Sequence, residues 1–214
     1  MFKNALRSLL FVGLAFGAAA PALAHPHVWV KAKSEVVYAP DGTATAVKHH
    51  WTFDEMFSTF ATQGIESKVK GQFTREELAP LAEINVTSLK EFDYFTYVTA
   101  DGKKAELVDP SQSEYWLDFK DSVLTLNFTL PFKAPVKAKD LSLEVFDPSY
   151  FVDFSFAEKD AVTLAGAPAG CNLTTSKPQE MTAADVKKFS EADFTKMADN
   201  YGAQYANRIL VQCP

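Results

Sequence analysis

The sequence predicts a mainly β fold with peripheral helices (α+β), an antiparallel β-sandwich or sheet in one domain. Three observations carry that expectation. Residues 27–38 and 43–53 alternate apolar and polar side chains on either side of Pro40-Asp41-Gly42, which is the pattern of a β-hairpin. From residue 92 to 156 short apolar and aromatic runs recur at the spacing of strands separated by turns. The strands do not alternate with long helical segments, so the larger two-lobed, parallel α/β architecture of exported solute receptors is excluded.

Taken in order, the first strand places Val28, Val30, Ala32 and Val36 on one face, with His27, Lys31, Lys33 and Glu35 on the other. In the second, Val47, Trp51 and Phe53 alternate with Lys48, His50, Thr52 and Asp54. With Asp41 and Gly42 as the two loop residues, Pro40 pairs with Thr43, and opposed position numbers sum to 83. Trp29 then faces Asp54, His27 faces Met56 and His50 opposes Lys33, which makes His27 and Asp54 diagonal neighbours on one face. His49 points to the opposite, apolar face.

Asp54 caps a short helix reaching about Gln63, with Met56, Phe57, Phe60 and Ala61 on its apolar side. Thr74-Arg75-Glu76-Glu77 fits a capping box and opens a second helix over 74–91, which Pro80 should kink or restart. A strand over 92–98 runs to an Asp101-Gly102 turn and returns through Ala105 to Val108. Further strands are expected over 115–119, 123–130, 141–146 and 151–156. A third helix, opened by Thr182-Ala183-Ala184-Asp185, covers 182–201 and stops at Gly202. Ile209-Leu210-Val211 then forms a last strand running to Cys213.

The first 24 residues stand outside this fold. Lys3 and Arg7 precede an uncharged apolar stretch from Leu9 to Ala20, and Ala22-Leu23-Ala24 is a small-x-small cleavage site, so 1–24 is expected to be a signal peptide. Residues 25–214 then make the single domain, placed in the periplasm. The chain has 21 basic and 27 acidic residues, a net charge of -6. Removing Lys3 and Arg7 leaves 19 basic residues against 27 acidic, or -8. No basic excess points to a nucleic-acid partner, and no later apolar run is long enough to span a membrane. Cys171 and Cys213 form an even pair, expected as a disulfide in an oxidising compartment. Closing a loop of about 40 residues stabilises by roughly 4 kcal/mol in the chain-entropy description. A thiolate metal site is the rival, but few further ligands lie nearby.

All four histidines lie between positions 25 and 50. Cleavage after Ala24 would leave His25 with its amine and ring on one metal ion, a histidine brace, with nitrogen ligands suited to copper, nickel or zinc. Pro26 has no N–H to deprotonate, so the square-planar chelate of a third-position histidine is closed and His27 would act through its ring. The hairpin register disfavours a compact four-histidine site and favours a mixed histidine and carboxylate one. Each residue also has a structural reading: Asp54 as a cap, His49 as a hydrogen-bonded interior side chain, His50 as a solvated strand residue, and Asp147-Pro148 as a turn. No nucleophile elbow, phosphate loop, His-Glu-x-x-His or Gly-rich dinucleotide turn is present, so no enzyme class is indicated.

The order of motifs resembles a known family. A leader, His25-Pro26-His27-Val28-Trp29, Trp51-Thr52-Phe53-Asp54-Glu55-Met56-Phe57-Ser58, Asp147-Pro148-Ser149-Tyr150-Phe151 and Gly166-Ala167-Pro168-Ala169-Gly170-Cys171 together resemble the bacterial family catalogued as domain of unknown function 1007. The resemblance covers nearly all of residues 25–214 and implies a periplasmic component associated with nickel, cobalt or other transition-metal transport. The function expected is that of a metal-binding accessory protein, not an enzyme, which passes nickel, cobalt, copper or zinc to or from an inner-membrane transporter. His25 and His27 supply nitrogens, Asp54 or Asp147 a carboxylate, and His50 shares the His27 face. The alternative is a metal-free module whose aromatic-rich strands dock a transporter or envelope partner. A brace-type copper oxygenase is the minor reading, because no second well-placed histidine accompanies the brace.

Overall fold

The computed structural model describes residues 26–176 and 200–214. The leader, His25 and all but the end of the helix expected over 182–201 lie outside the described residues. The hairpin forms as β1 (Val28–Tyr38) and β2 (Ala44–Phe53), and its body keeps opposed positions summing to 83, from Val30 opposite Phe53 to Val37 opposite Ala46. The turn differs in detail. Ala39 N–H donates to Thr43 O at 2.8 Å, so Pro40, Asp41 and Gly42 form a three-residue loop, and a shift between Val37 and Tyr38 absorbs the extra residue. Gly42, at φ +81°, takes the left-handed position that such a loop needs.

Helix α1 (Glu55–Ala61) and helix α2 (Arg75–Leu89) follow. The capping box at Thr74 is present in both directions, with Glu77 reaching back to the Thr74 N–H. Contrary to expectation, α2 runs unbroken through Pro80. The proline is exposed and Glu76, whose carbonyl it leaves without an intrahelical partner, is exposed as well. Water can therefore satisfy that carbonyl, while Leu78, Ala82 and Val86 bury the opposite side of the helix.

The remaining strands are β3 (Thr96–Ala100), β4 (Lys103–Lys104), β5 (Tyr115–Lys120), β6 (Val123–Val136), β7 (Asp140–Val145), β8 (Val152–Phe156), β9 (Val162–Ala165), β10 (Asn172–Ser176) and β11 (Asn207–Gln212). They form two sheets. One has the order β5-β6-β2-β1-β8, with β9 also on β1; the other has the order β10-β11-β7-β3-β4. The second is antiparallel throughout, as expected, whereas β8 and β9 run parallel to β1 and make the first sheet mixed. Inner faces of both sheets contribute to one core, with Val30, Trp51, Leu126 and Leu130 from the first and Val98, Leu143, Val145 and Ile209 from the second.

Two expected strands are shorter or absent. Residues 92–95 belong to a 3₁₀ turn (Lys90–Phe95) instead of a strand, with Asp93, Tyr94 and Phe95 all at φ near +50°. The hairpin across the Asp101-Gly102 turn forms but is short: β4 pairs with β3 and Ala105 N–H donates to Val98 O, after which Leu107 bridges to Phe132 of β6 and Val108 N–H donates to Pro131 O, so the chain crosses to the other sheet. Cys171 and Cys213 are bonded and extend the β10–β11 ladder by one position, since Asn172 opposes Gln212. That disulfide fits a protein of an oxidising compartment. No helix of the described residues is long and apolar enough to cross a membrane.

Gly202 fixes how the C-terminal segment meets the turn at Asp147 and Pro148 ahead of β8. Its N–H donates to Pro148 O at 2.8 Å, and a Cβ built on it would stand 1.7 Å from Asp147 O. A methyl group there forces backbone apart. Gly202→Ala should destabilise the fold by about 2–3 kcal/mol, read as a lowered midpoint in urea unfolding, whereas Gly102→Ala, which meets nothing within 4 Å but holds φ +75°, should cost only about 1–2 kcal/mol, from its left-handed backbone.

Candidate functional site

The start of β1 is held from both edges. On one side the N–H groups of His27 and Val28 donate to Phe151 O at 2.9 and 3.4 Å, and Val28 then pairs with Val152 of β8. On the other side Trp29 and Asp54 exchange contacts. Asp54 N–H donates to Trp29 O at 3.0 Å, while Trp29 N–H donates to Asp54 Oδ2 at 2.9 Å. Asp54 Oδ1 meanwhile accepts the Phe57 N–H at 2.8 Å and caps α1. The register thus places Asp54 opposite Trp29, as expected from the sequence, and each of its oxygens is engaged by a backbone donor. His27 does not pair with Met56, which lies in α1; its ring packs on Phe151 at 4.6 Å between centroids.

Asp147 is 4% exposed and occupies the same end of the sheet. Its Oδ1 accepts both the Ser149 N–H and the Ser149 hydroxyl at 2.8 Å, and its Oδ2 accepts the Val152 N–H at 2.9 Å. The carboxylate therefore shapes the loop that delivers Phe151 to His27. His50 is brought to a different place. It stands on the outer face opposite Lys33, as the register requires, with Nδ1 2.5 Å from Asn127 Oδ1. Asn127 passes the chain of hydrogen bonds to Asp118, which also receives Arg75 and the Trp116 indole N–H. Among the described residues no three side chains of His, Cys, Asp and Glu converge as a ligand group. His25 lies outside them, so the nitrogen pair of His25 and His27 is represented here by His27 alone.

His49 is an interior histidine, as its face predicts. It is fully buried, with Nδ1 3.0 Å from Ser34 Oγ and Nε2 3.2 Å from Thr96 Oγ1. Thr96 belongs to the other sheet, so the ring links the two layers between Trp51 and Phe128. Burial, with a smaller contribution from His50 beside it, lowers its pKa from 6.5 to about 3.

A feature the sequence did not disclose lies behind Phe151. A cavity of about 450 Å³ opens between the inner face of β1, β2 and β8 and the α2 helix with its 3₁₀ extension. Its wall includes Trp51, Phe53, Phe95 and Phe154, with Phe92 and Phe151 exposed in part. The aromatic richness of 92–98 and 151–156 was the available signal, but it reads equally as strand. The turn over 93–95 is held by three bonds: the Tyr94 hydroxyl to Asp109, the Thr96 hydroxyl to Tyr94 O, and the Phe146 N–H to Phe95 O. Three successive non-glycine residues in the left-handed region cost about 1–2 kcal/mol each, which such contacts must offset.

The chain belongs to the family described as protein of unknown function DUF1007, whose model matches residues 10–213. A protein of Haemophilus influenzae described as uncharacterized is 23% identical over 209 residues, which is 96% of this chain and 97% of its own length. An uncharacterized 15.5 kDa protein from the trpE 3' region of Spirochaeta aurantia is 29% identical over 101 residues, 47% of this chain and 71% of its own.

The depressed pKa of His49 has a signed consequence. Above pH 6.5 the ring is neutral in folded and unfolded chains alike. Below it the unfolded chain binds a proton that the folded chain refuses until pH approaches 3, so stability falls as pH falls through that window. The slope from this group approaches about 1.4 kcal/mol per pH unit. Urea unfolding at pH 7.0, 5.5 and 4.5 should show the loss, and His49→Gln should flatten it; an equally steep slope in the variant would assign the acid sensitivity elsewhere.

Proposed function

We propose that this family member is a periplasmic accessory protein that binds a divalent transition-metal ion at its processed N-terminus and passes it to or from an inner-membrane transporter. The observation that supports this reading is the anchoring of His27. Its N–H is tied to Phe151 O and its ring is packed on the Phe151 ring. A histidine held at the end of a sheet stands one rigid proline away from His25. Cleavage after Ala24 would give His25 an amine and a ring, and His27 a third nitrogen, all of kinds that nickel, cobalt, copper and zinc accept. Asp54 and Asp147 enter this reading as positioning residues, because their oxygens hold β1 and the 147–152 loop in place. The net charge of -8 expected after processing raises the local concentration of cations.

A second reading rests on a different observation at the same end. Trp29, Met56, Phe60 and Phe151 are 44%, 64%, 71% and 45% exposed. A metal-free module would use such side chains to dock a transporter or envelope partner.

The two readings separate by titration calorimetry of processed, metal-free protein. Adding one or two residues ahead of His25 keeps every side chain and removes the amine chelate. This extension should weaken copper(II) or nickel(II) binding at least tenfold, about 1.4 kcal/mol. His27→Ala should weaken it as well, whereas His49→Gln, in the interior away from the terminus, should lower the unfolding midpoint and leave affinity within twofold. Equal affinity of extended and native termini ends the brace reading. Absence of binding by both leaves the docking module.

A further inference from the structure

The cavity behind Phe151 has the dimensions of a ligand site, since pockets for small molecules run from about 300 to 1,000 Å³ and this one is about 450 Å³. Val30, Trp51 and Phe154 form its closed floor at 1%, 1% and 3% exposure, and Phe92 and Phe151, at 52% and 45%, form its open wall. In a chain where 22% of residues are charged, no charged side chain lines the cavity. The complementary occupant therefore carries no charge inside it.

The polar groups are few and mostly spent. Asn85 donates to Leu81 O at 2.8 Å and the Ser149 hydroxyl to Asp147 at 2.8 Å, while Ser88 sits exposed on α2. The indole N–H of Trp51 finds no acceptor among the described residues and is itself sealed from the cavity, so the space presents an apolar surface to an occupant. The left-handed turn over 93–95, which sets Phe92 and Phe95 against the cavity, is the kind of over-determined backbone found around ligand clamps.

We propose that this cavity binds an uncharged, slender apolar molecule. The inference rests on the cavity alone and stands whether or not the N-terminus takes a metal.

The test is fluorescence titration of the protein as its cell processes it with N-phenyl-1-naphthylamine, followed by displacement with 2-nonanone or nonane. The probe should bind saturably at one site per chain, and 2-nonanone should displace it. Ser88→Trp places a large ring at an exposed helix position beside the mouth, leaves the core untouched, and should weaken probe and ketone at least tenfold. Phe60→Ser, on an exposed side chain outside the cavity, should change nothing. Absence of saturable binding overturns the proposal. So does unchanged affinity in Ser88→Trp, or a loss in Phe60→Ser equal to it, which would mean adhesion to the apolar surface.

Discussion

Asp54 holds together the end of the molecule on which the proposed sites depend. One of its oxygens takes the first helical N–H it can reach and the other takes the N–H of Trp29, while its own backbone closes the ladder of β1 and β2. A single carboxylate thus fixes the strand end that carries His27, the start of α1, and the placing of Phe57, which stacks on Phe53 at 4.6 Å. Charge-assisted bonds to backbone donors are stronger than neutral ones, and here they satisfy groups at two element ends that regular pairing leaves open. Asp147 does the same across the other edge. Between them the two acids frame the beginning of β1, so carboxylates that resemble metal ligands in sequence are explained by the backbone they organise.

The interior shows the converse problem, polar groups that must find partners away from water. His49 solves it with a hydroxyl from each sheet, Ser34 on one and Thr96 on the other. The arrangement stabilises the neutral ring and makes protonation incompatible with the packed core. Trp51, two residues along, does not solve it within the described chain. Both side chains occupy the same inward face of β2, yet they differ in position: His49 lies between the layers, whereas Trp51 borders the cavity.

Legibility in the sequence followed the range of the interactions. Local chemistry was readable: the Asp54 and Thr74 caps, the hairpin around Pro40-Asp41-Gly42, and the register that set His50 against Lys33 and turned His49 inward. Pairings between distant segments were not. Nothing in Val152–Phe156 announces that it runs parallel to β1, because period-2 alternation is the same for either direction. Residues 92–95 look like strand by composition, and their left-handed turn is imposed by Asp109, Thr96 and Phe146, contacts that no local pattern encodes. The three-residue loop at Gly42 and the compensating shift at Tyr38 cancel over the body of the hairpin, which is why a register derived from a shorter loop still placed every opposed pair from Val30 to Val37.

Both proposed sites lie where strands end, and the reason is physical. Along a sheet the backbone donors and acceptors are consumed by neighbours, and inward side chains are consumed by the opposite layer. At the end of β1 pairing stops, the chain enters from His27, and the loop over 147–152 crosses beneath it. Phe151 is the common element, with its carbonyl holding His27, its ring against the His27 ring, and its side chain on the cavity wall. The two sites nevertheless ask for opposite chemistry. The nitrogen ligands proposed at the terminus would select a cation and fail as they protonate, whereas the cavity is lined without charge. Phe151 touches both, so replacing it is the direct way to ask whether the two are coupled.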